Sequence, residues 1–241
     1  MRKSILGFSA VLSTMLVAAP AMAQDAEVEP VKITGNVALV SDYRFRGVTQ
    51  NSENAAIQGG ITATSSTGLY VGTWASSVNF GTLGETEVDL FAGYSKEVTP
   101  GVTLDVGLLY YLYPNKTSVD TDFFEPYVNV SGTIGPVSAK VGANYAWKQS
   151  AIGDYSSVYL HTEWSLPIPN TPLGFNAHGG YAKSDSFLGG TDGDYFDYSI
   201  GATATYKMLT FGVSYVNTDI KAAKEPLGAD GAVVFSIGAS F

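Results

Sequence analysis

The chain has 241 residues, a formal net charge of -9 and no cysteine; 15% of its residues are charged, and glycine, tyrosine and phenylalanine are plentiful. The lack of cysteine excludes disulfides, thiol catalysis, thiolate metal sites and a lipid-modified amino-terminal cysteine. The acidic balance argues against nucleic acid as a partner, because phosphate binding needs clustered Lys and Arg. Beyond Ala23 no apolar stretch approaches the roughly 18 to 20 residues that a membrane-spanning helix needs, which excludes a helical membrane protein.

In chain order, Met1-Arg2-Lys3, the apolar run from Ile5 to Ala19 and the small-x-small site Ala21-Met22-Ala23 read as a secretory signal peptide over residues 1–23, cleaved after Ala23. A short periplasmic segment, residues 24–31, follows, and a single domain takes residues 32–241. Runs of about ten residues with period-2 alternation predict strands over Lys32–Arg46, Ala55–Thr64, Gly68–Val78, Glu85–Lys96, Val102–Tyr113 and Phe123–Ile134. The same pattern continues over Val137–Lys148, Tyr155–Leu166, Leu173–Lys183, Tyr195–Tyr206, Leu209–Asn217 and Ala232–Phe241. Twelve is an even number, and about ten residues is what a tilted strand needs to cross an outer membrane. The expected fold class is therefore all-β, a transmembrane, antiparallel, up-and-down β-barrel of about twelve strands.

The connections alternate. Ser65–Thr67, Val98–Gly101, Gly135-Pro136, Pro167–Pro172 and Lys207-Met208 are tight, whereas Gly47–Asn54, Asn79–Gly84, Pro114–Asp122, Gln149–Asp154, Ser184–Asp194 and Thr218–Gly231 are mostly longer and polar. In transmembrane barrels short turns face the periplasm and long loops face outward, which puts both ends of an even-stranded barrel in the periplasm.

Only apolar residues can face lipid at little cost, which assigns the strand faces. Ile33, Val37, Leu39, Tyr43 and Phe45 are expected to point outward, with Lys32, Thr34, Asn36, Asp42, Arg44 and Arg46 toward the lumen. Val88, Leu90, Ala92 and Tyr94 oppose Glu85, Glu87 and Asp89. Val102, Leu104, Val106, Leu108 and Leu112 oppose Asp105 and Tyr111; Val141, Ala143, Tyr145 and Trp147 oppose Lys140, Asn144 and Lys148. The third strand is ambiguous, since Tyr70, Trp74 and Val78 compete with Leu69, Val71 and Ala75 for the outer face. Tyr43, Phe45, Tyr94, Trp147, Trp164 and Tyr206 are candidates for the interfacial aromatic girdles.

Two resemblances sharpen the reading. The last strand carries Val233, Phe235, Ile237, Ala239 and Phe241 on one face, and a terminal aromatic there resembles the assembly signal of bacterial outer-membrane barrels, which implies the barrel-assembly machinery as a partner. Val37–Gln50 (VALVSDYRFRGVTQ), Tyr70–Phe80 (YVGTWASSVNF), Glu87–Tyr94 (EVDLFAGY) and Tyr110–Pro114 (YYLYP) resemble the TorF family of proteobacterial porins, closely over residues 37–114 and more loosely beyond. That resemblance implies an outer-membrane barrel with a channel role and brings neither a substrate nor catalytic residues. Pro126 in Phe123-Phe124-Glu125-Pro126 departs from the pattern; it removes a ladder donor and suggests a bulge or an irregular strand start.

The charged lumen is the candidate site. Glu87, Asp89, Asp105 and Glu125 form an acidic wall, with Arg44 and Arg46 on the first strand about a third of the way round, an arrangement that sets a transverse field and filters small hydrophilic solutes or ions. Alternatively these residues pair with one another and plug the barrel. A symmetric Pro167–Pro172 turn would set His161 opposite His178 and Glu163 opposite Asn176, a weak metal candidate without a third ligand fixed by spacing. Gly189–Asp194, with Asp185 and Asp197 nearby, lacks the ligand order of an EF-hand and reads as an outer loop. Lys221 and Lys224 are too few for a lipopolysaccharide patch.

No Ser-His-acid set falls on one face by spacing, so no enzyme is expected. The leading reading is an outer-membrane porin for passive diffusion, with no cofactor, embedded in outer-membrane lipid, as a monomer or a homo-oligomer. The alternative is a non-conducting barrel that modifies lipid or binds a partner at the cell surface. A secreted soluble sandwich or lipocalin-like barrel shares the period-2 pattern, but strand number, loop alternation and Phe241 favour the membrane form.

Overall fold

The computed structural model describes residues 30–81, 84–114, 120–221 and 228–241. The signal peptide, its cleavage site, most of the segment 24–31 and Lys224 lie outside the described residues. The strands are β1 (Val31–Val40), β2 (Arg44–Phe45), β3 (Val48–Thr49), β4 (Ala56–Ser65), β5 (Leu69–Ser77), β6 (Thr86–Thr99) and β7 (Val102–Leu112). They continue as β8 (Phe123–Ile134), β9 (Val137–Ala146), β10 (Ser157–Pro167), β11 (Leu173–Ser184), β12 (Asp194–Tyr206), β13 (Leu209–Thr218) and β14 (Ala232–Ser240).

Twelve of them close into one antiparallel barrel in which each strand pairs with its chain neighbours and β1 pairs with both β4 and β14. β2 and β3 form a separate two-stranded sheet. Eleven of the twelve expected strands match to within three residues at either end. The first does not, because β1 stops at Val40 and the segment expected to carry it on to Arg46 leaves the wall. At the short turns the chain reverses through a residue with positive φ, as at Gly101 and Gly135, where glycine carries no Cβ penalty.

The barrel is inverted relative to a soluble protein: its exterior is apolar. Ile33, Val37, Leu39, Leu90, Val106, Leu108, Val141, Tyr145 and Trp147 are exposed, as are Val233, Phe235, Ile237 and Phe241. A continuous apolar outer band is what lipid contact requires. The ambiguous strand is now assigned, with Leu69 and Val71 outside and Tyr70 and Trp74 buried inside. Tyr43 and Phe45, expected outside, face inward instead: Tyr43 is 2% exposed and Phe45 packs against the interior cluster. The bend at Ser41-Asp42 breaks the alternation that the sequence reading carried through them. Trp147, Trp164 and Tyr206 remain on the outer surface.

Pro126 causes no bulge. β8 runs through it, paired to Leu108 of β7, and its pairing with β9 begins only at Tyr127. The Gln149 side chain instead both donates to and accepts from the Phe124 backbone, so the missing proline N–H falls where the β9 ladder has ended.

Inside, large rings sit over glycines. A Cβ on Gly93 would lie 2.3 Å from the Tyr70 hydroxyl, and one on Gly107 would lie 2.4 Å from the Tyr127 hydroxyl. The side of the lumen along β5 to β8 is filled this way by Tyr70, Trp74, Phe91, Leu109, Tyr111, Phe123 and Tyr127.

Candidate functional site

The loop after β1 folds into the lumen rather than away from it. Arg46 and Gly47 both have positive φ, 49° and 82°, and form the tight turn between β2 and β3, the geometry that two-residue hairpins favour. Gly47 lies against β12 and β13, near β1 on the β14 side of the barrel, where a Cβ would meet Thr218 Cγ2 at 2.4 Å and Asp197 Cβ at 3.0 Å. The contacts of Arg46 with β8 and β10 carry the hairpin tip across the interior.

Arg46 sits at that tip. Its Nη2 donates to both carboxylate oxygens of Glu125 on β8, at 2.7 and 2.8 Å, and its guanidinium stacks over the Tyr159 ring on β10 at 4.1 Å. Phe45 meets Tyr111 of β7 edge-on at 5.9 Å. Desolvation opposes the Arg46 charge, but the facing Glu125 carboxylate reverses the balance and holds the guanidinium above its ordinary value. Before the hairpin, the Tyr43 hydroxyl donates to Glu87 at 2.7 Å, and the Tyr113 hydroxyl donates to the other Glu87 oxygen at 2.7 Å. Burial, then the charges of Glu87 and Asp89, push the Tyr43 phenol well up, so it remains a donor.

Arg44 anchors the base of the loop. Its Nε donates to Asp42 at 2.5 Å, its Nη2 to Glu53 at 3.2 Å, and its Nη1 to the Gly228 and Asp230 carbonyls at 2.8 and 2.9 Å. The backbone N–H of Thr49 also donates to the Gly228 carbonyl, tying the first loop to the last.

The expected picture of two arginines on a wall facing an acidic wall is thus corrected. Arg44 and Arg46 belong to a loop, and Arg46 touches the acidic side instead of standing across from it. The structure places Glu87, Asp89, Asp105 and Glu125 inside, all buried. Glu87, Asp89 and Glu125 gather beneath the hairpin, and both Asp89 carboxylate oxygens are buried without a hydrogen-bond partner. Asp105 belongs to a different cluster, accepting from Tyr70 at 2.6 Å, with Lys140 and Glu163 paired at 2.7 Å on neighbouring strands.

The histidine register also differs from expectation. His161 faces Gly180, Glu163 faces His178, and Ser165 faces Asn176. The turn is not symmetric about Pro167–Pro172, because Pro167 and Leu173 are themselves in strands and Asn170 adopts positive φ at the tip. The two imidazoles still lie 6.4 Å apart, and His178 Nε2 is 2.9 Å from Asp197 and from the Tyr159 hydroxyl. Among the described residues no group of three or more His, Asp or Glu side chains is arranged to hold a metal ion. Asp197 serves this inner cluster and not the Gly/Asp-rich loop.

Sequence reasoning missed Tyr43, Gln58, Trp74, Tyr159 and the turn at Arg46-Gly47. The signal for the last was present in Phe45-Arg46-Gly47-Val48, where apolar residues flank a two-residue turn ending in glycine.

Residues 24–241 match the family described as "Bacterial protein of unknown function (Gcw_chp)". Comparison with curated proteins finds no match. In fold the chain is similar to the NanC porin, with a TM-score of 0.59 and 12% identity over 87% of this chain and 99% of that one. It is also similar to the KdgM porin solved with disordered oligogalacturonate, with a TM-score of 0.55 and 8% identity over 87% and 97% of the two chains.

Proposed function

The chain belongs to the Gcw_chp family, and we propose that it is an outer-membrane porin whose bore is set by its first loop, passing small hydrophilic solutes or ions by passive diffusion. The observation that carries this reading is the inverted barrel: ionisable residues line the interior while the exterior is continuously apolar. Likeness in fold to two solved porins supports it. The finer family name, TorF porin, rests on the resemblance over residues 37–114.

In this reading Arg46 and Glu125 hold the hairpin across the lumen, so the free passage is a crescent beside the loop rather than a central pore. Glu87, which accepts from the Tyr43 and Tyr113 hydroxyls, adds negative potential beneath the hairpin from the filled side of the lumen, which favours cations over anions. Diffusion down a gradient needs no cofactor. Rings of ordered charge close to a narrow path act strongly because little water screens them.

The same hairpin favours a second reading, a closed barrel with a surface-binding or lipid-modifying role. Single-channel conductance of the refolded mature protein in a planar bilayer, with reversal potential in a salt gradient, separates the two. Discrete, cation-preferring steps support the porin; a folded barrel that never conducts supports the closed form, and lipid-hydrolysis assays then divide its two roles.

A further inference from the structure

The lumen is filled unevenly. Rings and carboxylates pack the side along β5 to β8, whereas a cavity of about 80 Å³ remains on the side where β13, β14, β1 and β4 form the barrel seam. We infer that this seam-side cavity is the solute route and that it takes small uncharged polyols of about the size of glycerol. The inference rests on the porin reading.

The lining carries the argument. Side chains of Asn36, Gln58, Thr210, Ser214 and Ser236 contribute amides and hydroxyls, and the buried ring of Trp74 closes one wall. Hydroxyls and amides can exchange hydrogen bonds with a polyol in either sense, because each both donates and accepts. An indole ring offers an apolar face to the carbon skeleton. Gln58 is 3% exposed; its amide nitrogen donates to Ser76 while its Oε1 has no partner. A buried acceptor left open is costly, so turning the Gln58 amide toward the cavity that it borders would be repaid by a hydroxyl donor there.

Charge sets the class. The charged residues lining the cavity are Asp42 and Arg44, and they pair with each other at 2.5 Å, with Glu53 a further partner of Arg44 at 3.2 Å. The carboxylates without a matching cation, Glu87 and Asp89, lie on the filled side. An anion gains no free counter-charge along the cavity, whereas a neutral solute meets dipoles and apolar side chains such as Val40 and Val234. Size sets the limit. A water needs about 10–15 Å³ on the same measure, so the cavity holds roughly five to eight waters, or one glycerol with a few.

The test is uptake of labelled glycerol and labelled glycerate into proteoliposomes, with protein-free vesicles as background and potassium chloride conductance measured on the same preparation. Glycerol uptake at least about tenfold faster than glycerate is expected, and Ser236→Leu, which fills the cavity, lowers it about tenfold. Ser214→Leu is the second variant, and resistance to unfolding in dodecyl sulfate before heating shows that each barrel is folded. Equal uptake of the two solutes, or unchanged glycerol uptake in both folded variants, overturns the inference while conductance leaves the porin reading standing. A folded wild type that passes neither glycerol nor potassium chloride overturns both.

Discussion

Arg46, at the tip of the hairpin after β1, and Glu125, on β8 across the lumen, form a bifurcated ion pair with Nη2 2.7 and 2.8 Å from the two carboxylate oxygens. Both side chains are almost wholly buried, at 4% and 1% exposure. This pair ties the tip of the first loop to the opposite wall, while Arg44 and Tyr43 hold its base.

Breaking one side of a buried pair leaves the other charge without compensation, at a cost of about 3–5 kcal/mol. Arg46→Met is expected to lose that much stability in urea unfolding from detergent micelles, and adding Glu125→Gln is expected to restore a large part of it. If the double variant is no more stable than the single one, the pair is not what holds the hairpin.

The Tyr43 hydroxyl secures the same loop through Glu87 at 2.7 Å. Tyr43→Phe removes one charge-assisted hydrogen bond, worth about 1–3 kcal/mol, without changing the ring that packs edge-on against Trp74 at 5.5 Å. Trypsin should then cleave after Arg44 or Arg46 faster than in the wild type, with the barrel otherwise intact on gels. An unchanged cleavage rate removes this bond from the account.

The inside-out assignment is tested at mid-strand. Ile200, near the centre of β12, is 63% exposed on the outer face. Ile200→Arg is expected to cost about 2–4 kcal/mol in lipid, whereas Ser214→Lys on the inner face, out of lipid contact, costs less. The reverse order would mean that the apolar band does not face lipid.

At the seam, the Gly35 and Phe241 backbones exchange hydrogen bonds at 2.8 and 3.0 Å, and a Cβ on Gly35 would lie 2.7 Å from the Phe241 ring. Gly35→Val should therefore cost about 1–3 kcal/mol through overpacking and slow barrel closure. Replacing the ring as well, with Phe241→Ala, should relieve that clash. Folding yield into lipid vesicles, read as the heat-modifiable band, reports both effects.

How far the sequence carried this account depends on the physics of each part. Period-2 alternation between lipid and lumen is a strong signal, so the strands from Ala56 to Ser240 and the inward positions of Glu87, Asp89, Asp105 and Glu125 were legible. The alternation failed at Tyr43 and Phe45, because an inward-folding loop buries aromatic residues against the lumen wall as lipid would on the outside. The His161–His178 register could not be read, because Pro167 belongs to the strand and pairs with Gly174, which moves the pairing by two from that of a turn symmetric about Pro167–Pro172. The packing asymmetry that opens the seam side was invisible too, since it depends on which rings share a layer across non-adjacent strands. A charged pair such as Arg46 and Glu125, 79 positions apart in the chain, leaves no local pattern.

The most direct test is single-channel conductance of the wild type and of Arg46→Ala, each as a folded mature barrel in the same planar bilayer and salt. A bore set by the hairpin predicts small, cation-preferring steps in the wild type and steps at least about twofold larger once Arg46 no longer holds Glu125. Absence of conductance in both folded proteins, or identical steps in both, would contradict a porin constricted by its first loop.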